Sequence, residues 1–198
     1  MQVKDTFLKK ISCTFLICIF LVSKSSFAKD TIIEKVIEYN ESLNNSSVLF
    51  IQSDGGLIKE GVIYIGFERI KVNYDSPRKI TIVLSKKKGM YVDHELRETQ
   101  FFNTKKSFVR IFYELMLGGD FYKESNTKTL NDIIKINNTF EVNEILYKTE
   151  IIYENNPIKL RKIIIYDNEV GLELGFFGHN NLEVFEKKNF LLIDPYLN

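Results

Sequence analysis

The segment GVIYIGFERIKVNYDSP, Gly61–Pro77, is written as two strand patterns back to back. Val62–Ile65 is an apolar run rich in β-branched residues, which suits a pleated, buried surface. From Arg69 to Tyr74 polar and apolar residues alternate. That period of two puts Ile70, Val72 and Tyr74 on one face and Arg69, Lys71 and Asn73 on the other. Asp75-Ser76-Pro77 ends the strand, because proline donates no ladder hydrogen bond and Asp and Ser favour turns. The apolar face carries no catalytic group. It has the character of a wall, around a core or around an apolar ligand.

The same alphabet continues on both sides. Ser47–Gln52 reads as a strand, and Asp54-Gly55-Gly56 as the turn that folds it back on Leu57–Ile65. Downstream, Lys79–Leu84, Met90–Asp93 and Glu95–Phe102 are further strands, with Lys86-Lys87-Lys88-Gly89 as a tight turn. Before them, Thr31–Ser42 repeats apolar residues at helical spacing (Ile33, Val36, Ile37), with Asp30 as its N-cap. The period changes again at Lys105–Leu117. Phe108, Ile111, Phe112, Leu115 and Met116 make the stripe of an amphipathic helix, and Gly118-Gly119 stops it. After the polar stretch Lys123–Lys128 strands resume: Phe140–Leu146, Tyr147–Tyr153, Leu160–Tyr166, Gly171–Phe177, Leu182–Phe185 and Phe190–Ile193. Ten or more antiparallel strands with two or three helices exclude a doubly wound fold. They predict a mostly β member of the α+β class, one large curved sheet with helices over its concave face.

Residues 1–28 read as a signal peptide. Lys4, Lys9 and Lys10 precede the apolar run Ile11–Val22, which is too short to span a bilayer, and Ser26-Phe27-Ala28 is a cleavage signal. The expectation is a periplasmic protein with one domain over residues 29–198. Both cysteines, Cys13 and Cys18, fall in the leader, so the remainder has no thiol chemistry. Cleavage takes four lysines and one aspartate from 27 basic and 26 acidic residues, leaving a net charge of −2. That balance gives no electrostatic case for nucleic acid or anionic membrane.

Chemistry is sparse. His94, between Asp93 and Glu95, and His179, after Phe177-Gly178, both read as exposed turn residues. There is no HExxH, no Gly-x-Ser-x-Gly elbow, no phosphate loop and no GxGxxG. No nucleophile neighbours a base. The expectation is a binding protein with no catalytic residue, no metal and no cofactor.

Taken in order, five features resemble the LolA family of periplasmic lipoprotein carriers. They are Phe50-Ile51-Gln52, Gly61–Ile65, Arg69–Pro77, Tyr91–Leu96, and the helix ending Leu115-Met116-Leu117-Gly118-Gly119. Phe190–Leu197 is similar to the family's last strand. The resemblance covers the chain after residue 28 almost end to end. It implies an unclosed β-barrel (LolA/LolB-like) of about eleven strands, with helices as a lid over an apolar cavity. It implies a carrier that takes acylated lipoproteins from an inner-membrane ABC transporter to an outer-membrane acceptor, acting as a monomer. One departure stands out. The family's Arg-Pro, whose arginine ties the empty lid shut, is replaced by Gly66-Phe67, and Arg69 points away from the apolar face.

Under that reading Phe50, Ile70, Val72, Tyr74, Ile82, Leu84, Met90 and Val92 form the acyl cavity, and Phe108, Phe112, Leu115 and Met116 the lid. Burying about sixteen methylenes is worth on the order of 13 kcal/mol. A carrier must bind more weakly than that to release its cargo. Two other readings fit the same pattern: a carrier of a phospholipid-like acyl cargo, and a lipid-sensing regulatory module.

Overall fold

The computed structural model describes residues 31–167, 170–181 and 185–197. Among them a helix, α1, covers residues 31–42. Six strands follow: β1 (Ser46–Ser53), β2 (Ile58–Gly66), β3 (Arg69–Ser76), β4 (Ile80–Leu84), β5 (Lys88–Asp93) and β6 (Glu98–Asn103). Then come a 3-10 turn at Thr104–Lys106, helix α2 (Val109–Leu117) and the short helix α3 (Asp120–Lys123). Five strands complete the sheet: β7 (Asn126–Leu130), β8 (Ile133–Val142), β9 (Ile145–Asn155), β10 (Ile158–Asp167) and β11 (Val170–Asn181).

All eleven strands form one antiparallel sheet in the order β6-β5-β4-β3-β2-β1-β11-β10-β9-β8-β7. The order explains the architecture. The chain meanders outward from β1 to the edge at β6, crosses through α2 and α3 to the opposite edge at β7, and meanders back until β11 pairs with β1. β6 and β7 do not pair, so the barrel stays open. Because twisted sheets curl, the crossing helices fall over the concave side. The mostly β, unclosed barrel with helices across it is the fold class that the sequence predicts.

The concave face follows from register. Val48 faces Ile63, which faces Val72, which faces Ile82. On the other arm Phe50 faces Phe176, Leu174 faces Ile163, and Ile163 faces Ile151. These side chains join the helix residues Ile33, Val36, Leu43, Ile111, Leu115 and Met116 in one buried core. Gly61 sits where β2 comes against β3; a Cβ there would lie 1.9 Å from the Asn73 carbonyl oxygen. The β2–β3 turn is Phe67-Glu68, both with positive φ (57° and 55°). That is the handedness tight hairpins need, here without the usual Gly or Asn. The Phe67 ring meets Phe190 edge-on at 5.8 Å, so tertiary packing holds a turn that local propensity does not favour.

Several expected elements are corrected. Phe140–Leu146 is not one strand, because Asn143 and Glu144 turn with φ of 52° and 68° between β8 and β9. β7 was hidden in the polar run that reads as a loop, since an edge strand needs no apolar face. The helix expected over Lys105–Leu117 begins only at Val109, after the 3-10 turn. Phe190–Leu197 forms no strand. Phe190 closes a second 3-10 turn (Lys187–Phe190), and the residues after it strap the outer face. There Leu192 packs on Val83, Met90 and Val92, Thr99 Oγ1 donates to Asp194 at 2.8 Å, and Tyr196 meets His94. Residues 1–28, the cap Asp30 and most of Leu182–Phe185 lie outside the described residues. No described helix is long and apolar enough to cross a membrane.

Candidate functional site

Between the concave face and α2 lies a cavity of about 910 Å³. Its walls come from both arms of the sheet: Phe50, Ile63, Val72, Tyr74, Ile82 and Leu84 on one side, Tyr147, Ile165, Leu172 and Leu174 on the other. Phe108, Val109 and Phe112 roof it. Among the described residues the polar lining consists of Gln52, Asp54 and Asp167, besides the phenols of Tyr74 and Tyr147. The two aspartates stand in the β1–β2 turn and at the end of β10, at the same end of the barrel, and mark its mouth. Lys59 bonds Asp54 at 3.1 Å and holds its carboxyl below the usual carboxylate range. Inside, Phe50 and Tyr74 meet edge-to-face at 5.1 Å. The Tyr74 hydroxyl donates to Gln52 Oε1 at 2.7 Å, and burial pushes its pKa up to about 12.

Of the residues expected here, Phe50, Val72, Tyr74, Ile82, Leu84, Phe108 and Phe112 are at the cavity wall. Ile70 shares their face but lies one step deeper, fully buried in the core beneath. Met90 and Val92 are corrected outright. Met90 faces Val83 and Val92 faces Thr81, on the convex side under the C-terminal strap. On β5 the concave positions are Gly89, Tyr91 and Asp93, so the more apolar set of the alternation points outward. Leu115 and Met116 are buried core of α2 and do not roof the cavity. Met116 lines instead a separate cavity of about 370 Å³ beside Asn40 and Tyr122. The wall given by Tyr147, Ile165, Leu172 and Leu174 was missed. Part of its signal was present: Leu172, Leu174 and Phe176 alternate with Gly171, Glu173 and Gly175, whereas the continuous apolar run Ile163-Ile164-Ile165 does not assign Ile165 to a face.

The lid is fastened without the family's arginine. Arg69 Nη1, on the outer face, donates to the Phe190 carbonyl and so holds the C-terminal strap. The bond from lid to barrel end is the Tyr113 hydroxyl of α2 donating to the Glu68 carbonyl at 3.1 Å. Deeper down, Tyr122 donates to the Leu115 carbonyl and contacts the Tyr153 hydroxyl at 2.9 Å, and Tyr153 donates to Asn40 Oδ1 at 3.2 Å. One buried chain thereby joins α1, α2, α3 and β9. Burial pushes the Tyr122 pKa up to about 12 and raises that of Tyr153 well above the ordinary phenol value. Arg110 lies over the Phe140 ring at 5.1 Å and pins α2 to β8.

The histidines do structural work. His94 bonds Thr81 Oγ1 at 2.9 Å and the Tyr196 hydroxyl at 2.8 Å. His179 is not in a turn but within β11, with Nε2 at 3.1 Å from the Leu160 carbonyl oxygen; burial lowers its pKa. Among the described residues no three His, Cys, Asp or Glu side chains gather as a metal would require.

No protein-family model matches the chain, and no curated protein does. Solved structures do. An uncharacterized conserved protein from Thermus thermophilus aligns over 79% of this chain and 89% of its own, at 9% identity and a TM-score of 0.50. LprF from Mycobacterium bovis aligns over 77% of this chain and 92% of its own, at 9% identity and a TM-score of 0.43. At such identity a likeness speaks of fold. What stands from the LolA resemblance is its architecture, an unclosed barrel with helices across an apolar cavity.

Proposed function

We propose that this protein carries acyl chains, and that its cargo is the lipid-modified end of lipoproteins moving across the periplasm. The observation that carries the reading is the cavity: about 910 Å³, walled by aliphatic and aromatic side chains, with its polar groups gathered toward one mouth. Well-packed domains do not leave such a volume empty without a use. That volume lies at the upper end of the range of small-molecule sites, about 300–1,000 Å³. Acyl chains that enter between the sheet and its roof need α2 to move. The lid bonds described above oppose that motion, which keeps the net affinity below the full burial energy and leaves release within reach of an acceptor. Loading by an inner-membrane transporter and delivery to an outer-membrane acceptor complete the proposal.

The cavity has equal room for a phospholipid, so cargo separates the two readings. The test is mass spectrometry of the protein purified from its cellular compartment without detergent. Co-purified lipoproteins support the carrier of lipoproteins. Phospholipid alone moves the assignment to a general acyl-lipid carrier, and a protein that neither carries nor takes up acyl chains refutes both.

A further inference from the structure

The cavity contains one polar arrangement that an apolar container does not need. Gln52 is 8% exposed and lines the wall on the same face of β1 as Phe50, two residues before Asp54 in the β1–β2 turn. Alternate residues of a strand are about 7 Å apart, so Gln52 stands one step inside the mouth. Its carboxamide orientation is fixed by its neighbour. The Tyr74 hydroxyl has one proton to donate, and Gln52 Oε1 is the acceptor the structure gives it among the described residues, at 2.7 Å. That leaves Nε2, on a side chain that lines the cavity, without a hydrogen bond to another described residue. Leaving such a group unpaired against hydrocarbon costs free energy, whereas an acceptor placed there recovers it.

We propose that Gln52, oriented by Tyr74, is a carbonyl-binding subsite that takes the ester or amide carbonyl at the head of an acyl chain. This rests on the acyl-carrier reading and refines it. With its carbonyl at Gln52 Nε2, a chain runs its methylenes inward past Phe50 toward Val72, Ile82 and Leu84. Its polar head emerges beside Asp54 and Lys59, which face solvent at the mouth. The subsite sets both register and chemical class: acyl esters and amides are favoured over ethers and plain hydrocarbons of the same length.

The test compares two probes that differ in one oxygen. They are 1-palmitoyl lysophosphatidylcholine and its 1-O-hexadecyl ether counterpart, each titrated below its micelle concentration against a fluorescent displacement probe. The ester is expected to bind about twofold to thirteenfold more tightly, the worth of one buried hydrogen bond. Gln52→Met, of similar volume, is expected to bring the ester to the level of the ether, and Tyr74→Phe to shrink the preference by freeing the carboxamide to rotate. Equal affinity for the two probes in the unaltered protein overturns the subsite and leaves the acyl-carrier reading standing. A preference that survives Gln52→Met overturns it as well. Failure of both probes to bind overturns the carrier reading itself and the subsite with it.

Discussion

Tyr113→Phe tests how this lid is held. The substitution deletes one hydroxyl and leaves the ring, which is 7% exposed in the core under α2. What is lost is the bond to the Glu68 carbonyl at 3.1 Å, the direct fastening of α2 to the β2–β3 turn. A neutral hydrogen bond contributes about 0.5–1.5 kcal/mol net. At 25 °C that range multiplies the open fraction of the lid by about two to thirteen. The same loss spread over the whole molecule shifts the melting temperature by at most about 1–6 °C for a domain of this size. The two effects are separable. Native-state hydrogen exchange is expected to rise by the same factor at the amides of Val109–Leu117 through a local opening with little dependence on denaturant, while the central strands β1, β2 and β11 exchange only through the denaturant-dependent global unfolding. Association of an acyl probe should quicken in parallel, since the lid opens more often. Unchanged exchange in α2, or a rise there that carries the full denaturant dependence of global unfolding, would refute the reasoning. The lid would then be held by packing alone, or the hydroxyl would act on global stability only.

Two further expectations follow from burial. Ile70→Glu places an uncompensated carboxylate at a fully buried position outside the cavity, and should abolish folding as read by circular dichroism. Ile82→Glu, at a half-buried position on the cavity wall, should leave a folded protein that no longer binds acyl probes; intact binding there removes Ile82 from the site. The tyrosines set an alkaline limit. The pKa values of Tyr74 and Tyr122 are raised to about 12 by burial, so the folded state holds their protons more tightly than the unfolded chain does. Their contribution is whole below about pH 10, where both states are protonated. It is lost between about pH 10 and 12, at up to about 1.4 kcal/mol per pH unit for each tyrosine. Urea unfolding at a series of pH values from about 8 to 12 checks this, with Tyr74→Phe expected to flatten the slope by one proton's worth. Stability that stays constant or rises across the upper half of that range refutes it.

The alternation in Arg69–Tyr74 determined a wall by itself. Period two is a property of the pleat, and it assigned Ile70, Val72 and Tyr74 to one side without any tertiary information. In the same way helical spacing brought Phe108 and Phe112 to one side of α2, and the change of period between the two blocks of strands announced helices crossing a sheet. Period two says which residues share a face. It does not say which face is concave. On β5 the two faces are Met90 and Val92 against Gly89, Tyr91 and Asp93, and hydrophobicity favours the wrong pair. The C-terminal strap reverses the choice by covering the convex side with Leu192, and a long-range cover of that kind leaves no local trace. The helix stripe has the same limit: Leu115 and Met116 lie on the buried side of α2, but only the axis of the helix over the sheet separates roof from core. The second wall was written in the alternation at Leu172 and Leu174, and not at Ile165, which lies in an unbroken apolar run. It became part of a site only because β11 closes on β1 and brings two arms, distant in sequence, around one space. The lid's fastening was also beyond the sequence. A tyrosine hydroxyl reaching the carbonyl of a Phe67-Glu68 turn depends on a backbone conformation that those residue types do not favour, and packing against Phe190 holds it. Local pattern sets the elements and their faces; the sides those faces take are set by what the distant chain packs against them.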